Sequence, residues 1–227
     1  MSIEQIRERH ERLLSGLREA AERNGHDPDR VHVVGITKTW PAELARAALD
    51  AGIARLGESR VQEAEPKVTA VPEAEWHFVG RLQANKARRA VRAFAVIHSV
   101  DSLELLGRLR ELSVEEGRDA RLLLQVNVTG EASKAGMSPA DVLAPATADA
   151  IRDGGVIGLM AIGAMGATER EARGAFGELR RLRGRLEEAA GIALPELSMG
   201  MSADAEAAAA EGATLVRIGT ALFGPRA

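Results

Sequence analysis

A chain of 227 residues, 45% of them hydrophobic and 28% charged, can bury a core as one large domain or two small ones. Its net charge of -3 and pI near 6.0 supply no basic field for nucleic acid or an anionic membrane. The absence of cysteine excludes disulfides, thiolate metal sites and a cysteine nucleophile, and tyrosine is absent as well.

The opening stretch MSIEQIRERHERLLSGLREAAERNGHD is charged and amphipathic, with Ser2 and Gln5 placed as a capping box. It predicts a helix rather than an export signal, and no apolar run approaches the roughly 20 residues of a membrane span. The expected location is cytoplasmic, with no membrane partner. Beyond this helix, short runs rich in β-branched residues alternate with stretches of helical periodicity. Strands are predicted near 31–38, 54–58, 75–80, 96–100, 121–128, 156–164, 195–199 and 214–218. Helices are predicted near 41–51, 61–70, 82–92, 102–116, 138–151, 168–190 and 203–211. Asp101 with Glu104 and Thr168 with Glu171 have capping-box spacing, and Gly117 and Gly191 stand where C-terminal caps fall.

Near-continuous apolar strands alternating with helices predict an α/β chain with a parallel sheet covered on its outside. Closed, the sheet is a (β/α)8 TIM barrel with an extra N-terminal helix; open, it is a doubly wound sheet. The even eightfold count favours the barrel. No linker, low-complexity tract or composition shift marks a second domain, so residues 1–227 are expected to form a single one.

In a barrel, function sits at the C-terminal ends of the strands and in the loops that follow. The first strand, in VHVVGITKTWPAE, is apolar at Val31, Val33, Val34 and Ile36 and ends on Lys38 between two threonines. An ammonium there is costly to desolvate without compensation. Gly57, Glu58 and Ser59 end the second strand. His77 lies in the third, in EWHFVGRLQANK, with Gln83, Asn85 and Lys86 beyond it. The fifth strand runs into NVTGEASKAGMS, a polar loop with Asn127, Ser133, Lys134 and Gly136.

The last two strand ends, LSMGMSADAEAA and LVRIGTALFG, look like an anion site. Ser198, Gly200 and Ser202 sit where a strand turns into a helix, and Gly219 and Thr220 hold the equivalent place after the eighth strand. Unpaired backbone N–H groups and the helix dipole bind phosphate at such places, and these two loops are its usual position in this fold. The same residues also suit ordinary turns and N-caps.

A lysine in an apolar pocket has a lowered pKa and attacks carbonyls, forming a Schiff base. Combined with a phosphate cradle, Lys38 suggests pyridoxal phosphate, and equally an aldolase acting on a sugar phosphate. The plain alternative is a strand-end lysine snorkelling to solvent. Arg217 interrupts the apolar run TLVRIGT and needs a partner if buried. It could pair with a carboxylate inside the barrel or face the pyridine nitrogen of a cofactor; an aldolase gives it no obvious task.

At these residues the sequence resembles the pyridoxal phosphate homeostasis proteins, which look like the barrel domain of alanine racemase standing alone. The resemblance runs from Val33 to Arg226 through VGITKTWP, LGESRVQE, WHFVGRLQANK, QVNVTGEASKAG, GLMAIGA and LSMGMSADAEAAAAEGATLVRIGTALFG in order. It implies a fold type III barrel that binds pyridoxal 5'-phosphate, with Lys38 holding the cofactor as an internal aldimine. Ser202, Gly219 and Thr220 would bind the phosphate with Met201 beside it, and Arg217 would face the pyridine nitrogen. Ser59 stands beside the expected ring position, where the family commonly has asparagine, and is short enough for a water to intervene. Thr37 replaces a common serine and keeps its hydroxyl. His77 joins the candidate cofactor residues at the site mouth, its alternative being a structural hydrogen bond.

The same cofactor in the same fold serves racemases and decarboxylases, so fold leaves activity open. Alanine racemase uses a tyrosine as its second acid/base and the related decarboxylases a cysteine; this chain has neither. Both also carry an added β domain, whereas this barrel is expected to end just after Phe223 and Gly224, as a monomer. A cationic Arg217 beside the ring nitrogen disfavours its protonation and weakens the electron sink, although alanine racemase carries arginine there too. The expected function is therefore a non-enzymatic pyridoxal phosphate carrier in intracellular cofactor homeostasis, serving pyridoxal-dependent apo-enzymes. The alternative is a weak amino-acid racemase using Lys38 and His77.

Other features have bland readings. NKARRAVR and ELRRLRGRLEE suit solvated helix faces. The five histidines lack partners at metal-ligand spacing. Met199 and Met201 suit packing. Glu58, Glu63 and Glu65 suit solvated or helix-cap roles.

Overall fold

Strand burial on both faces explains the apolar runs, and their pairing closes the sheet. The computed structural model describes residues 1–131 and 135–225; Ser133, Lys134 and Arg226 lie outside the described residues. Eight parallel strands pair in sequence order and close as a barrel. They are β1 His32–Ile36, β2 Arg55–Glu58, β3 Glu75–Phe78, β4 Val96–Val100, β5 Arg121–Val126, β6 Val156–Ala161, β7 Glu196–Ser198 and β8 Leu215–Ile218. β8 closes onto β1 with Val34 opposite Arg217 and Gly35 opposite Ile218. On the other side of β1, Ile36 stands opposite Gly57.

The helices are α1 Ile3–Arg23, α2 Ala42–Asp50, α3 Val61–Ala70, α4 Ala87–Ala93, α5 Leu103–Glu115, α6 Pro139–Val142, α7 Pro145–Arg152, α8 Glu169–Ala190, α9 Ala205–Ala210 and α10 Thr220–Phe223. The added helix α1 packs on α9, α2 and α10, and Arg9 donates to the Leu222 carbonyl at 3.1 Å. Among the described residues no helix is long and apolar enough to cross a membrane.

Local punctuation follows the residues. The Ser2/Gln5 and Thr168/Glu171 capping boxes are formed, and Gly117 and Gly191 are left-handed just past their helices. The Asp101/Glu104 box is not: α5 starts one residue later, and Ser102 Oγ accepts the Leu105 N–H at 3.1 Å. The helix expected over 138–151 is two pieces, because Ala144, preceding Pro145, is pushed to an extended conformation. The strand expected over 31–38 ends at Ile36, which leaves Lys38 on a turn. α10 is too short to show periodicity in sequence.

Period-2 alternation divides the side chains between two compartments. Trp76, Phe78, Ile97, Leu122, Val216 and Ile218 belong to the main core, shared by the outer face of the barrel and the helices. Their neighbours face the interior. There, Val34, Ile36 and Leu215 form one small apolar cluster with Val79, and Val96, Leu123 and Met160 form another. Gly57 faces the first cluster, where a Cβ would lie 2.5 Å from Ile36 Cδ1. Buried His77, His98, Ser198 and Arg217 belong to the same interior parity and run as a polar band.

Candidate functional site

The amine-bearing turn comes first. Thr37, Lys38, Thr39 and Trp40 form a tight turn after β1, closed by the Trp40 N–H donating to Thr37 O at 3.0 Å. Thr39 has φ 68°, the only positive value at a non-glycine among the described residues. A β-branched residue is strained there, and such strain persists only where the surroundings over-determine it. They do so here from both sides. Thr37 Oγ1 donates to Glu58 Oε1 at 2.7 Å, and Lys67 Nζ donates to Thr37 O at 2.7 Å and to Glu58 Oε1 at 2.5 Å. The Thr39 N–H donates to Glu63, whose carboxyl is held below its ordinary range by Arg60 first and by this N–H in addition. Lys38, half-buried, thus sits on a turn clamped by β2 and α3.

Glu58 is not solvated: it is fully buried, and with Lys67 it forms an ion pair behind the turn. Glu58 Oε2 makes no hydrogen bond among the described residues. Lys67 is missed by a reading of strand ends because it lies on a helix. Its signal is the spacing, since Val61, Ala64 and Lys67 are the buried positions of α3.

The two small-residue loops lie next to this turn. Met199–Asp204 joins β7 to α9, and Gly219 joins β8 to α10. The Arg217 N–H donates to Gly200 O at 3.1 Å, tying the loops together. Gly200 has φ +87°, and a Cβ there would lie 2.5 Å from Ala208 Cβ, so this turn requires glycine. Asp204 Oδ1 accepts the Met201 N–H at 2.6 Å. Among the described residues, no backbone carbonyl takes up the N–H groups of Ser202, Ala203, Thr220 and Ala221. Ser202 and Thr220 are exposed, and Met201 is 41% exposed. A Cβ on Gly219 would come no closer than 3.7 Å to Ile36, so the small residue keeps the approach to the β1 end open.

Strand order therefore brings Ser59, Lys38, Thr220 and Ser202 together at the adjoining ends of β2, β1, β8 and β7. Ser59 borders a cleft that also contacts Arg60, Arg81, Lys86, Ser102 and Arg108. The donor set fits a phosphorylated aldehyde: an amine, unpaired N–H groups with small side chains, and a guanidinium below.

That guanidinium, Arg217, is buried, and no carboxylate among the described residues is hydrogen-bonded to it. Its NH1 donates to Ser198 Oγ at 2.5 Å and its NH2 to Ala161 O at 2.9 Å. Burial lowers its pKa to about 10, against the opposing pull of Asp204. Ser198 Oγ lies 2.8 Å from His98 Nδ1, His98 Nε2 lies 2.8 Å from His77 Nδ1, and His77 Nε2 lies 2.9 Å from Glu75 Oε1. Both ring nitrogens of His77 are thus engaged inside the barrel rather than at its mouth. Burial lowers the pKa of His77, with Glu75 opposing, and lowers that of His98 further, with His77 and Arg217 adding to the effect. The hydrogen bond from His77, followed by that from Arg121, holds Glu75 well below the ordinary carboxylate range. His98 carries the same signal as Arg217, a polar residue in an apolar strand.

The remaining charged stretches pair on the surface. Arg88 and Arg92 meet Glu116, and Arg89 meets Glu65. Met199 is buried in the core. Among the described residues no group of three acidic or histidine side chains could hold a metal.

Comparison with known proteins places the chain among relatives. The family model of the alanine racemase N-terminal domain matches residues 18–227. A pyridoxal phosphate homeostasis protein of Pseudomonas aeruginosa is 42% identical over 226 residues, covering 97% of this chain and 96% of that protein. PipY of Synechococcus elongatus, solved without pyridoxal phosphate, superimposes with a TM-score of 0.82 at 42% identity, covering 92% of this chain and 99% of that one. PipY solved with pyridoxal phosphate bound gives a TM-score of 0.79 at 41% identity. Alanine racemase of Clostridium difficile, at 14% identity and a TM-score of 0.68, shares the fold.

Proposed function

The chain belongs to the pyridoxal phosphate homeostasis family, and from that premise we propose that it binds pyridoxal 5'-phosphate covalently on the Lys38 amine and acts as a cofactor carrier. The observation that carries this reading is the meeting of Lys38, the open N–H groups after β7 and β8, and Arg217 at adjoining strand ends. A relative at 41% identity binds the same cofactor, which supports it. Bound there, the cofactor supplies a reactive aldehyde and an electron-withdrawing ring. The Thr37–Trp40 turn orients the amine, and Ser202, Gly219 and Thr220 hold the phosphate with Met201 at their edge. Arg217 meets the ring nitrogen as a permanent donor, and Ser59 borders the ring through water.

Carriage rather than catalysis is supported by what the second face lacks. The chain has no tyrosine or cysteine, and His77 has both ring nitrogens engaged within the barrel. Handover to pyridoxal-dependent apo-enzymes and a monomeric state complete the proposal.

The test compares wild type with Lys38→Ala after incubation with pyridoxal phosphate and borohydride reduction. Yellow absorbance and a reduced adduct mapping to Lys38, both absent from the variant, are expected. A colourless wild type without adduct in excess cofactor would sink the reading. Exchange of an amino acid's α-hydrogen with solvent deuterium at a catalytic rate would instead establish the racemase.

A further inference from the structure

The barrel interior holds a single file of hydrogen bonds whose two ends have opposite obligations. Arg217 can only donate, so Ser198 Oγ accepts at that end. Glu75 can only accept, because Arg121 donates to it at 2.6 Å and Arg55 lies 3.2 Å from it, keeping it ionised. His77 Nε2 must therefore carry the proton that Glu75 receives. With His77 neutral, its Nδ1 is an acceptor, and the proton between the two rings belongs to His98 Nε2. His98 Nδ1 is then an acceptor and takes the Ser198 hydroxyl proton, which is free because Arg217 occupies a lone pair of that oxygen.

Every donor and acceptor along the file is used once, with both imidazoles neutral. Reversing the order would set His77 Nε2 against a carboxylate, lone pair to lone pair. Making His77 cationic would bury a charge beside His98, favoured by Glu75 but opposed by burial first and by Arg55 and Arg121. The charged groups around the file are Arg55 and Arg121 at Glu75 and Asp204 near Arg217. Burial, the leading influence on both imidazoles, acts toward the same neutral state.

We propose that Ser198, His98, His77 and Glu75 are positioning residues for Arg217, a one-directional relay that aims the guanidinium at the cofactor-facing end of the barrel and links its charge to a carboxylate at the opposite end. The purpose rests on the reading that Arg217 meets the cofactor ring; the hydrogen-bond order does not. The relay explains why a barrel interior that could be filled with aliphatic side chains keeps a polar band between two apolar clusters. Among the described residues no carboxylate is hydrogen-bonded to Arg217, and its orientation is set through neutral dipoles that cannot neutralise it by proton capture.

The test uses the full chain labelled with 15N at histidine, first without added cofactor. A scalar coupling across the N–H···N bond identifies His77 and His98 without mutation. The expected result at pH 7.5 is a proton on Nε2 of each ring and none on either Nδ1. A proton on His77 Nδ1, in either a neutral or a doubly protonated ring, would overturn the order.

Pyridoxal phosphate is then titrated into wild type, Ser198→Ala and Ser198→Thr. Ser198→Ala should bind about tenfold more weakly, the equivalent of one misplaced charge-assisted hydrogen bond, with a shifted absorption maximum. Ser198→Thr keeps the hydroxyl and should restore both. Unchanged affinity and spectrum in Ser198→Ala would overturn the positioning role. A wild type with the expected tautomers that binds no pyridoxal phosphate would overturn the cofactor reading and, with it, the purpose given to Arg217, while leaving the order of protons established.

Discussion

Replacing Lys67 by methionine removes the ammonium that donates to Glu58 Oε1 at 2.5 Å and to Thr37 O at 2.7 Å. Glu58, fully buried, would keep one hydrogen bond, from Thr37 Oγ1, and its charge would have no partner. Breaking a buried pair from one side costs about 3–5 kcal/mol. With a urea dependence of about 3 kcal/mol/M, the midpoint should fall by about 1–2 M. The double variant Lys67→Met/Glu58→Leu removes the lone charge and should recover at least half of the loss, since an apolar pair of similar volume is often neutral. It should still trap pyridoxal phosphate on Lys38 more slowly, because the strained turn has lost its clamp. A loss below about 1 kcal/mol in the single variant, or a double variant no more stable than the single, would refute the reasoning.

Gly200→Ala combines a left-handed backbone with a Cβ 2.5 Å from Ala208 Cβ, and should cost about 1–3 kcal/mol in thermal unfolding and weaken cofactor uptake. Thr39→Gly relieves a φ of 68° and should raise stability by up to about 1 kcal/mol by calorimetry; no gain would show that the turn is unstrained. Burial lowers the pKa of His77 and His98 in the fold, so below pH 6.5 each binds a proton more readily once unfolded. The unfolded state then holds more protons, so stability should fall on acidification by about 1.4 kcal/mol per pH unit for each, from pH 6.5 down to its folded pKa. Urea midpoints at pH 7.5 and 5.5 measure this, and a flat profile would contradict buried neutral imidazoles. Glu75, held low in the fold, adds loss in the same direction as pH falls below its unfolded value near 4.5.

Much of the site was legible because its residues break a local pattern. Lys38 and Arg217 are charges in apolar runs, and Gly200, Ser202, Gly219 and Thr220 are small residues where strands become helices. The strands, most caps and the eightfold alternation show because period, branching and capping act within a few residues. Boundaries were less legible: β1 stops at Ile36 where its neighbours stop pairing, and the box at Asp101 yields to Ser102.

By itself the sequence determined how each strand divides into two side-chain sets, with Trp76 and Phe78 in one and His77 in the other, while closure of the barrel decided which set looks inward. It also determined that a lysine, a guanidinium and two small-residue turns lie at or near the ends of strands in a βα alternation, and closure of the barrel brought those ends side by side. Only the tertiary structure decided what these groups bond to. Glu58 becomes half of a buried ion pair through a helix that follows it, and His98 reaches Ser198 across 100 residues of chain. His77 turns from a mouth residue into a link between Glu75 and His98 for the same reason. A donor's partner is set by which side chains closure brings within 3 Å, and no local periodicity records that distance.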